Sequence, residues 1–226
     1  ISKNSNKLKI ITKYKSLNKS IANQFEKSNS KLKIYPSIIL SHDAKEYLKS
    51  NYRNQLIRLK NEKKIKKYGV SVYKNSEIKE ILKVDKPDII QLPINILDKR
   101  LLKNNLLSRI KDKGIEIHAR SIFLRGLLFY PPEKIIKFFP QIKKEINILQ
   151  NFSESKNISI AELSLIWVNS IREIDKIVLG VTSKNELDKN LKLLKKNIHD
   201  KFFEKINKIN ITNEKIINPN KWQIKF

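Results

Sequence analysis

The chain has 226 residues, of which 40% are hydrophobic, and it contains no cysteine. This composition excludes disulfides, thiol chemistry and sulfur-based metal sites, and it is sufficient for one domain with a substantial core. The formal net charge is +26, but lysine is accompanied by abundant asparagine and isoleucine along the whole chain. Because phosphate binding needs a clustered basic stripe, we attribute the charge to composition in preference to a nucleic-acid site.

The apolar runs of the sequence are much shorter than the roughly 20 residues that a membrane span requires. Residues 1–7 (I-S-K-N-S-N-K) contain no hydrophobic signal core. We therefore expect a cytoplasmic protein without a membrane partner. Methionine is absent, even at position 1, which indicates that residues were removed or that the chain is part of a longer protein.

Six short apolar runs along the chain predict β-strands. Most of them are hydrophobic almost continuously, which is typical of strands in a parallel sheet that is covered on both faces. The predicted strands are residues 7–13, 37–41, 68–72, 89–92, 115–119 and 174–180.

Segments with helical periodicity separate these strands. Apolar residues recur at spacings of three and four in residues 47–64, and Ser159 with Glu162 predicts a capping box. The predicted helices are residues 20–28, 47–64, a helix opening at 76, 100–113, 141–156, 159–168 and 187–196.

Two stretches have no regular period. Residues 121–140 contain Gly126, Pro131 and Pro132 and form the best candidate for a substrate-binding loop. The C-terminal tail, residues 200–226, is expected to pack on the outside or across one end of the fold.

The alternation of strands and helices predicts an α/β barrel, whose chemistry lies at the C-terminal ends of the strands. A flavodoxin-like open sheet has the same order of elements, but no glycine-rich phosphate loop follows the first strand. Polar candidates at the predicted strand ends are Lys13, His42, Ser71, Gln91, Asn95, Arg120, Ser121, Gly180 and Thr182.

Four segments of the sequence are informative together: G-V-S-V-Y (69–73), I-Q-L-P-I-N-I-L-D-K-R (90–100), H-A-R-S-I-F-L-R-G-L-L (118–128) and V-L-G-V-T-S-K-N-E-L-D-K-N (178–190). In their order and spacing, these segments resemble the aldo/keto reductase superfamily. The resemblance runs from about Lys9 to Asn190. It implies a TIM-type (β/α)8 barrel that reduces aldehyde or ketone substrates by hydride transfer without a metal. The implied cofactor is NADP, with NAD as the alternative.

The resemblance also implies roles for individual residues. His42 matches the active-site histidine that orients and polarises the substrate carbonyl, and Lys13 matches the lysine that lowers the pKa of a tyrosine acid. Ser71 and Gln91 match residues that hold the nicotinamide carboxamide. Arg120 lies where an aromatic ring often stacks on the nicotinamide. The remaining cofactor-binding residues, along the pyrophosphate, ribose and adenine, are Ser121, Gly180, Thr182, Ser183, Glu186 and Asn190.

Without the resemblance, the same residues have structural interpretations. A histidine at a strand end is often a hydrogen-bonded structural residue. Ser71 and Gln91 are equally typical of polar side chains that fill the opening of a barrel without binding a cofactor. His118 is expected to be packed within its strand, and His199 has no supporting pattern.

The chain departs from the family pattern at its beginning. The family's catalytic tyrosine and its partner aspartate belong to a motif resembling D-T-A-x-x-Y-G before the lysine strand, and this sequence lacks such a segment. We therefore expect a single, N-terminally truncated domain over residues 1–226 that lacks the first two β/α units, and no activity of this chain alone. Tyr14 and Tyr73 lie outside any such motif and receive no proton-transfer role.

A second departure concerns the cofactor. Gly180 and Glu186 replace the basic residues that typically bind a 2′-phosphate, and an acidic side chain suits a ribose diol better. Lys184 and Lys189 are alternative sources of positive charge. The choice between NADP and NAD therefore stays open, as do two other functions: a non-catalytic nucleotide-binding or interaction module, and a basic protein that binds RNA or an acidic partner.

Overall fold

The computed structural model describes residues 9–15, 20–195 and 203–222. Within these ranges, six strands form one sheet whose order follows the sequence from β1 to β6, with parallel pairing. The predicted α/β class is therefore confirmed. The strands are β1 (Ile11–Tyr14), β2 (Ile38–Ser41), β3 (Lys67–Ser71), β4 (Ile89–Pro93), β5 (Glu116–Arg120) and β6 (Lys176–Ile177).

Helices separate consecutive strands and also form the C-terminal region. They are α1 (Ile21–Leu32), α2 (Ala44–Leu48), α3 (Ser50–Asn61), α4 (Asn75–Val84), α5 (Leu106–Lys111), α6 (Pro132–Phe138), α7 (Lys143–Lys156), α8 (Ile160–Asn169), α9 (Lys184–Leu194), α10 (Glu204–Asn207) and α11 (Glu214–Ile217). Short 3₁₀ turns occur at Arg100–Asn105, Leu124–Phe129, Pro140–Ile142 and Pro219–Lys221. Across the described ranges, no helix combines the length and the apolar character of a membrane span.

Several element boundaries differ from the predicted ones. The predicted helix 47–64 is divided into α2 and α3 because Lys49 adopts an extended backbone (φ −69°, ψ 120°). The predicted helix 100–113 is interrupted at Lys103 (ψ 151°) and Asn104 (φ 58°), so 3₁₀ turns precede α5. β6 has two residues, and the chain leaves regular pairing soon after Val178 donates a backbone hydrogen bond to Ala119 (2.8 Å).

The predicted loop 121–140 is more regular than its composition indicates. It contains the 3₁₀ turns Leu124–Phe129 and the helix α6, which has a proline at its first position. Proline is compatible with the first turn of a helix because the amide hydrogen that it lacks has no partner there.

The chain divides into two compact units, and the expectation of a single domain stays a prediction. The first unit comprises residues 1–92 and 108–117, and the second comprises residues 93–107 and 118–226.

In the first unit, a close approach between β3 and β4 depends on glycine. Leu40, Gly69 and Ile89 lie side by side in register on β2, β3 and β4. A Cβ atom at position 69 would lie 2.2 Å from the carbonyl oxygen of Ile89 and 2.8 Å from its Cβ. Because Gly69 has no side chain, Ile89 packs with Ile38 and Leu40 in a buried cluster.

In the second unit, α8 is the most deeply buried helix of those described. Eight of its ten residues are buried, as expected for a helix that is hydrophobic all round. One of these eight residues, Ser164, is polar and is fully buried. The Ser164 Oγ accepts a hydrogen bond from the Ile96 backbone N–H (3.2 Å) and donates one to the Ile122 carbonyl (2.8 Å).

Candidate active site and cofactor-binding residues

Four predicted site residues lie at the carboxyl ends of neighbouring strands in the first unit. Lys13 is in β1, and His42 directly follows β2, where its backbone N–H donates to the Tyr14 carbonyl (2.9 Å). Ser71 ends β3 and pairs in register with Gln91 of β4. The fold therefore brings all four residues to one edge of the sheet.

The side chain of Lys13 reaches across β2 to β3. Lys13 pairs with Leu40, which pairs with Gly69, and Ser71 lies two residues beyond Gly69. Residues two apart in a strand point to the same face. Accordingly, the Lys13 Nζ donates a hydrogen bond to the Ser71 Oγ over 3.2 Å. Lys13 is exposed, whereas Ser71 is 1% exposed, so the ammonium lies over a buried hydroxyl.

The turn that carries His42 is held on both sides. The fully buried Ser41 donates from its Oγ to the Asp43 carbonyl (2.9 Å). The Asp43 carboxylate caps α2 by accepting from the Glu46 backbone N–H (2.9 Å). These bonds fix the backbone around His42, whose own side chain is half-buried.

Tyr14 is next to Lys13 in sequence but does not provide the proton donor that the chemistry needs. Successive residues of a strand point to opposite faces, and the Tyr14 hydroxyl donates to the Ser28 Oγ (2.9 Å). Burial raises the pKa of Tyr14 above its ordinary value. Burial likewise raises the pKa of Tyr52 to about 12. A general acid needs the opposite shift.

In the second unit, Arg120 and Ser121 form a strained corner at the end of β5. Ser121 has a φ of +62°, a left-handed conformation that few residues other than glycine adopt. The Arg120 Nη1 donates to the Ser121 Oγ (3.1 Å). The fully buried Asn95 donates from its Nδ2 to the Ser121 carbonyl (3.1 Å).

Asn95, one of the polar candidates predicted at the strand ends, thus has a positioning role. Its Oδ1 also accepts from the backbone N–H groups of Leu97 (3.0 Å) and Asp98 (2.9 Å). An asparagine directly after an apolar strand signals a turn of this kind, but only the fold shows that the turn contacts Ser121.

The segment from Gly180 to Asn190 forms the start of α9. Ser183 caps this helix by accepting from the Glu186 backbone N–H (3.2 Å). The Glu186 carboxylate accepts from the Thr182 backbone N–H (2.7 Å) and from its Oγ1 (3.0 Å). These Thr182 hydrogen bonds lower the pKa of Glu186. Gly180 is exposed and Asn190 is half-buried.

The start of α9 consequently carries an ionised carboxylate. A helix N-terminus attracts negative charge, and here Glu186 supplies that charge from within the chain. The negative charge of a phosphate would be repelled by the Glu186 carboxylate, whereas a ribose hydroxyl would donate a hydrogen bond to it.

The sequence contains two other histidines. His118 is fully buried within β5, as expected for a packed side chain. His199 lies outside the described residues.

A comparison with protein families matches the description "Aldo/keto reductase family" over residues 2–211. Among curated proteins, the chain is 28% identical over 159 residues to the NADH-specific methylglyoxal reductase of Escherichia coli (strain K12). That alignment covers 64% of this chain and 48% of the relative, so the chain spans about half of the length of the curated relative.

Solved structures show the same fold. An aldo-keto reductase from Bacillus halodurans in its apo form superposes with a TM-score of 0.75 and 19% identity, covering 98% of this chain and 77% of that one. An aldo/keto reductase from Klebsiella pneumoniae, solved with NADP and acetate, gives a TM-score of 0.70 and 15% identity, covering 92% of this chain and 72% of that one. Because the family match extends over residues 2–211 and the fold agrees with it, the chain belongs to the aldo/keto reductase family.

Proposed function

We propose that this chain provides the cofactor-binding and carbonyl-polarising part of an NAD(P)H-dependent reductase of aldehydes or ketones. The observation that carries this proposal is the hydrogen bond between the Lys13 Nζ and the Ser71 Oγ (3.2 Å), at the sheet edge where His42 follows the neighbouring strand. It sets an ammonium, an imidazole and a buried hydroxyl on adjacent strand ends.

The chemistry explains why these side chains belong together. The nicotinamide, when bound, supplies a hydride to the carbonyl carbon of the substrate. Negative charge then develops on the carbonyl oxygen, and positively charged groups or hydrogen-bond donors fixed in advance stabilise it. His42 is proposed to donate a hydrogen bond to that oxygen. Lys13 is proposed to lower the pKa of the group that delivers the proton, because a nearby positive charge favours the ionised form of an acid.

Ser71 and Gln91 fit the nicotinamide end of the cofactor. A carboxamide presents one carbonyl acceptor and one NH₂ donor, and a hydroxyl together with a second carboxamide complements both. Both residues are almost fully buried, at 1% and 4% exposure. Water has little access to this position, so a bound carboxamide would depend on Ser71 and Gln91 for its hydrogen bonds.

Glu186 supports a preference at the adenosine end. Its carboxylate is held ionised by Thr182, which disfavours a 2′-phosphate and suits a ribose diol. We therefore expect NADH to bind at least as tightly as NADPH, although the sequence resemblance favours NADP. The Escherichia coli relative is described as NADH-specific.

Cofactor titrations test the nicotinamide site. Ser71→Ala and Gln91→Ala each remove one or two hydrogen bonds, so each is expected to weaken NADH binding by about five- to tenfold, measured by fluorescence titration. Ser30→Ala is the matched control, because Ser30 is exposed on α1 and its Oγ donates a local hydrogen bond to the Lys27 carbonyl. The site assignment fails if both variants bind like the unaltered chain, or if neither dinucleotide binds saturably to that chain.

Turnover is a separate measurement. Because no segment of the sequence resembles the family's tyrosine motif, we expect no steady-state oxidation of NADH or NADPH by the 226-residue chain with methylglyoxal or other aldehydes. Turnover that is lost in Lys13→Met and His42→Ala would refute the expected inactivity while supporting the roles of both residues. Turnover that persists in both variants would refute those roles.

A further inference from the structure

A cavity lies in the second unit, built from residues that the proposed reductase chemistry does not use. It has a volume of about 490 Å³ and lies among Lys99, Lys103 and Trp167, with Leu102, Phe203 and Ile209 as apolar lining. Cavities of about 300–1,000 Å³ with a few placed polar groups are typical of small-molecule sites.

Lys99 is the unusual member of this lining. It is 7% exposed, which is rare for lysine unless the ammonium is paired. Its Nζ donates to the Ile206 carbonyl at the end of α10 and lies 4.9 Å from the centre of the Trp167 ring. Both partners are electrically neutral, so neither neutralises the charge.

The neighbouring carboxylates are already engaged. Asp98 accepts from the Arg100 Nε (2.8 Å) and Nη2 (2.9 Å), and Glu214 is also within ion-pair distance of Arg100 (3.6 Å). Among the described residues that line the cavity there is no aspartate or glutamate. The described lining therefore combines two ammonium groups and contains no carboxylate.

Burial also lowers the pKa of Lys99, to about 8, because desolvation disfavours the charged ammonium. At neutral pH the side chain is nevertheless still mostly charged. A buried charge that has only neutral partners costs free energy that an incoming counter-ion recovers. An ammonium has three N–H donors, and the carbonyl of Ile206 takes one of them.

We propose that this cavity binds a small organic carboxylate with an aromatic or apolar body. The carboxylate would accept from the two remaining N–H groups of Lys99, with Lys103 at the exposed side of the cavity. The body would pack on Trp167, Phe203 and Ile209. Trp167 is held for this contact, since its Nε1 donates to the Asn207 Oδ1 (2.8 Å).

Benzoate is a suitable probe, with Trp167 fluorescence as the readout. The chain has two tryptophans, so the titration uses a Trp222→Phe background in which Trp167 is the single reporter. We expect saturable quenching by benzoate and at least tenfold weaker quenching by benzamide, which has the same shape without the charge. Lys99→Met should abolish saturation, and the exposed Lys79→Met on α4 should not change it.

Folding of each variant is checked by far-UV circular dichroism, and Lys99→Arg, which keeps the charge, should retain measurable binding. The proposal is overturned if benzoate gives no saturable quenching, if benzamide binds as well as benzoate, or if a folded Lys99→Met variant binds benzoate normally.

The pH dependence provides an independent measurement on the chain with an intact Lys99. Lys99 and Lys103 are the titratable side chains of the lining. Since the pKa of Lys99 is about 8, about nine-tenths of it is charged at pH 7 and about one-tenth at pH 9. Benzoate affinity is therefore expected to fall about tenfold between pH 7 and pH 9. An affinity that is constant over this range would contradict a role for the Lys99 ammonium.

Discussion

Single residues decide how closely the strands of the first unit approach one another. Gly69 permits Ile89 to pack against Leu40 in the layer directly below the polar edge. Ser71, two residues further along β3, then lies within 3.2 Å of the Lys13 Nζ. The position of a candidate catalytic group therefore depends on the absence of a side chain elsewhere in the same strand.

Gly69→Ala is expected to destabilise the chain. Its Cβ would lie 2.2 Å from a backbone oxygen, which cannot move aside without shifting β4. We expect a loss of about 1–3 kcal/mol in the free energy of unfolding, measured by urea denaturation. Gly180→Ala is the matched control, since no atom lies within 4 Å of the added Cβ, and it should change stability by less than about 0.5 kcal/mol. Equal effects of the two substitutions would disprove the steric explanation.

At the scale of elements, α8 organises the second unit through both packing and hydrogen bonds. Its capping box, formed by Ser159 and Glu162, fixes where the helix begins. Its buried Ser164 then joins the chain after β4 to the chain after β5. Since these two connections carry Asn95 and Ser121, the helix supports the corner that the resemblance assigns to the cofactor.

Ser164→Ala tests this link. The substitution leaves the Ile96 N–H and the Ile122 carbonyl without the Ser164 hydroxyl in a buried environment. Loss of a partner for buried polar groups costs about 1–3 kcal/mol, and we expect a decrease of that size in the free energy of unfolding. Ser155→Ala on α7 is the comparison, because Ser155 is exposed and its Oγ donates a local hydrogen bond to the Phe152 carbonyl. A loss no larger than that of Ser155→Ala would show that the Ser164 bonds contribute little.

At the scale of the whole molecule, the dominant feature is charge. The chain has 48 lysines and arginines but only 22 aspartates and glutamates. More than half of the basic side chains therefore have no carboxylate to balance their charge. Several of the ion pairs that form are exposed, such as Lys83 with Glu80 and Arg58 with Glu62, and exposed pairs contribute little to stability. Repulsion among like charges therefore opposes the compact state.

Salt is expected to stabilise this protein. The Debye length falls from about 10 Å at 0.1 M to about 3 Å at 1 M ionic strength, which screens repulsion between surface charges. The midpoint of urea denaturation should therefore rise with added NaCl, and equally with KCl if screening is the cause. A midpoint that falls steadily with salt would show that attractive ion pairs outweigh the net repulsion.

Local patterns were sufficient for most of the fold. The strands from β2 to β5 lie within about one residue of their predicted positions because buried strands are continuous apolar runs, and the capping box at Ser159 was predicted from two residues. The first strand begins at Ile11, later than the predicted start at residue 7, and residues 7 and 8 lie outside the described residues. The length of the last strand was predicted too long. Residues 174–180 form a largely apolar run, but in the structure β6 comprises Lys176–Ile177. Lys49 also divides a segment whose periodicity predicts one helix.

The sequence by itself determined the α/β class, the family and the identity of the polar residues at the strand ends, because these depend on local periodicity and on motifs that are continuous in the chain. Only the tertiary structure decided which of these side chains meet. The contact of Lys13 with Ser71 spans 58 positions and depends on strand register. Likewise, the burial of Lys99 beneath α10 depends on a contact with Ile206, 107 positions away, which no local pattern encodes.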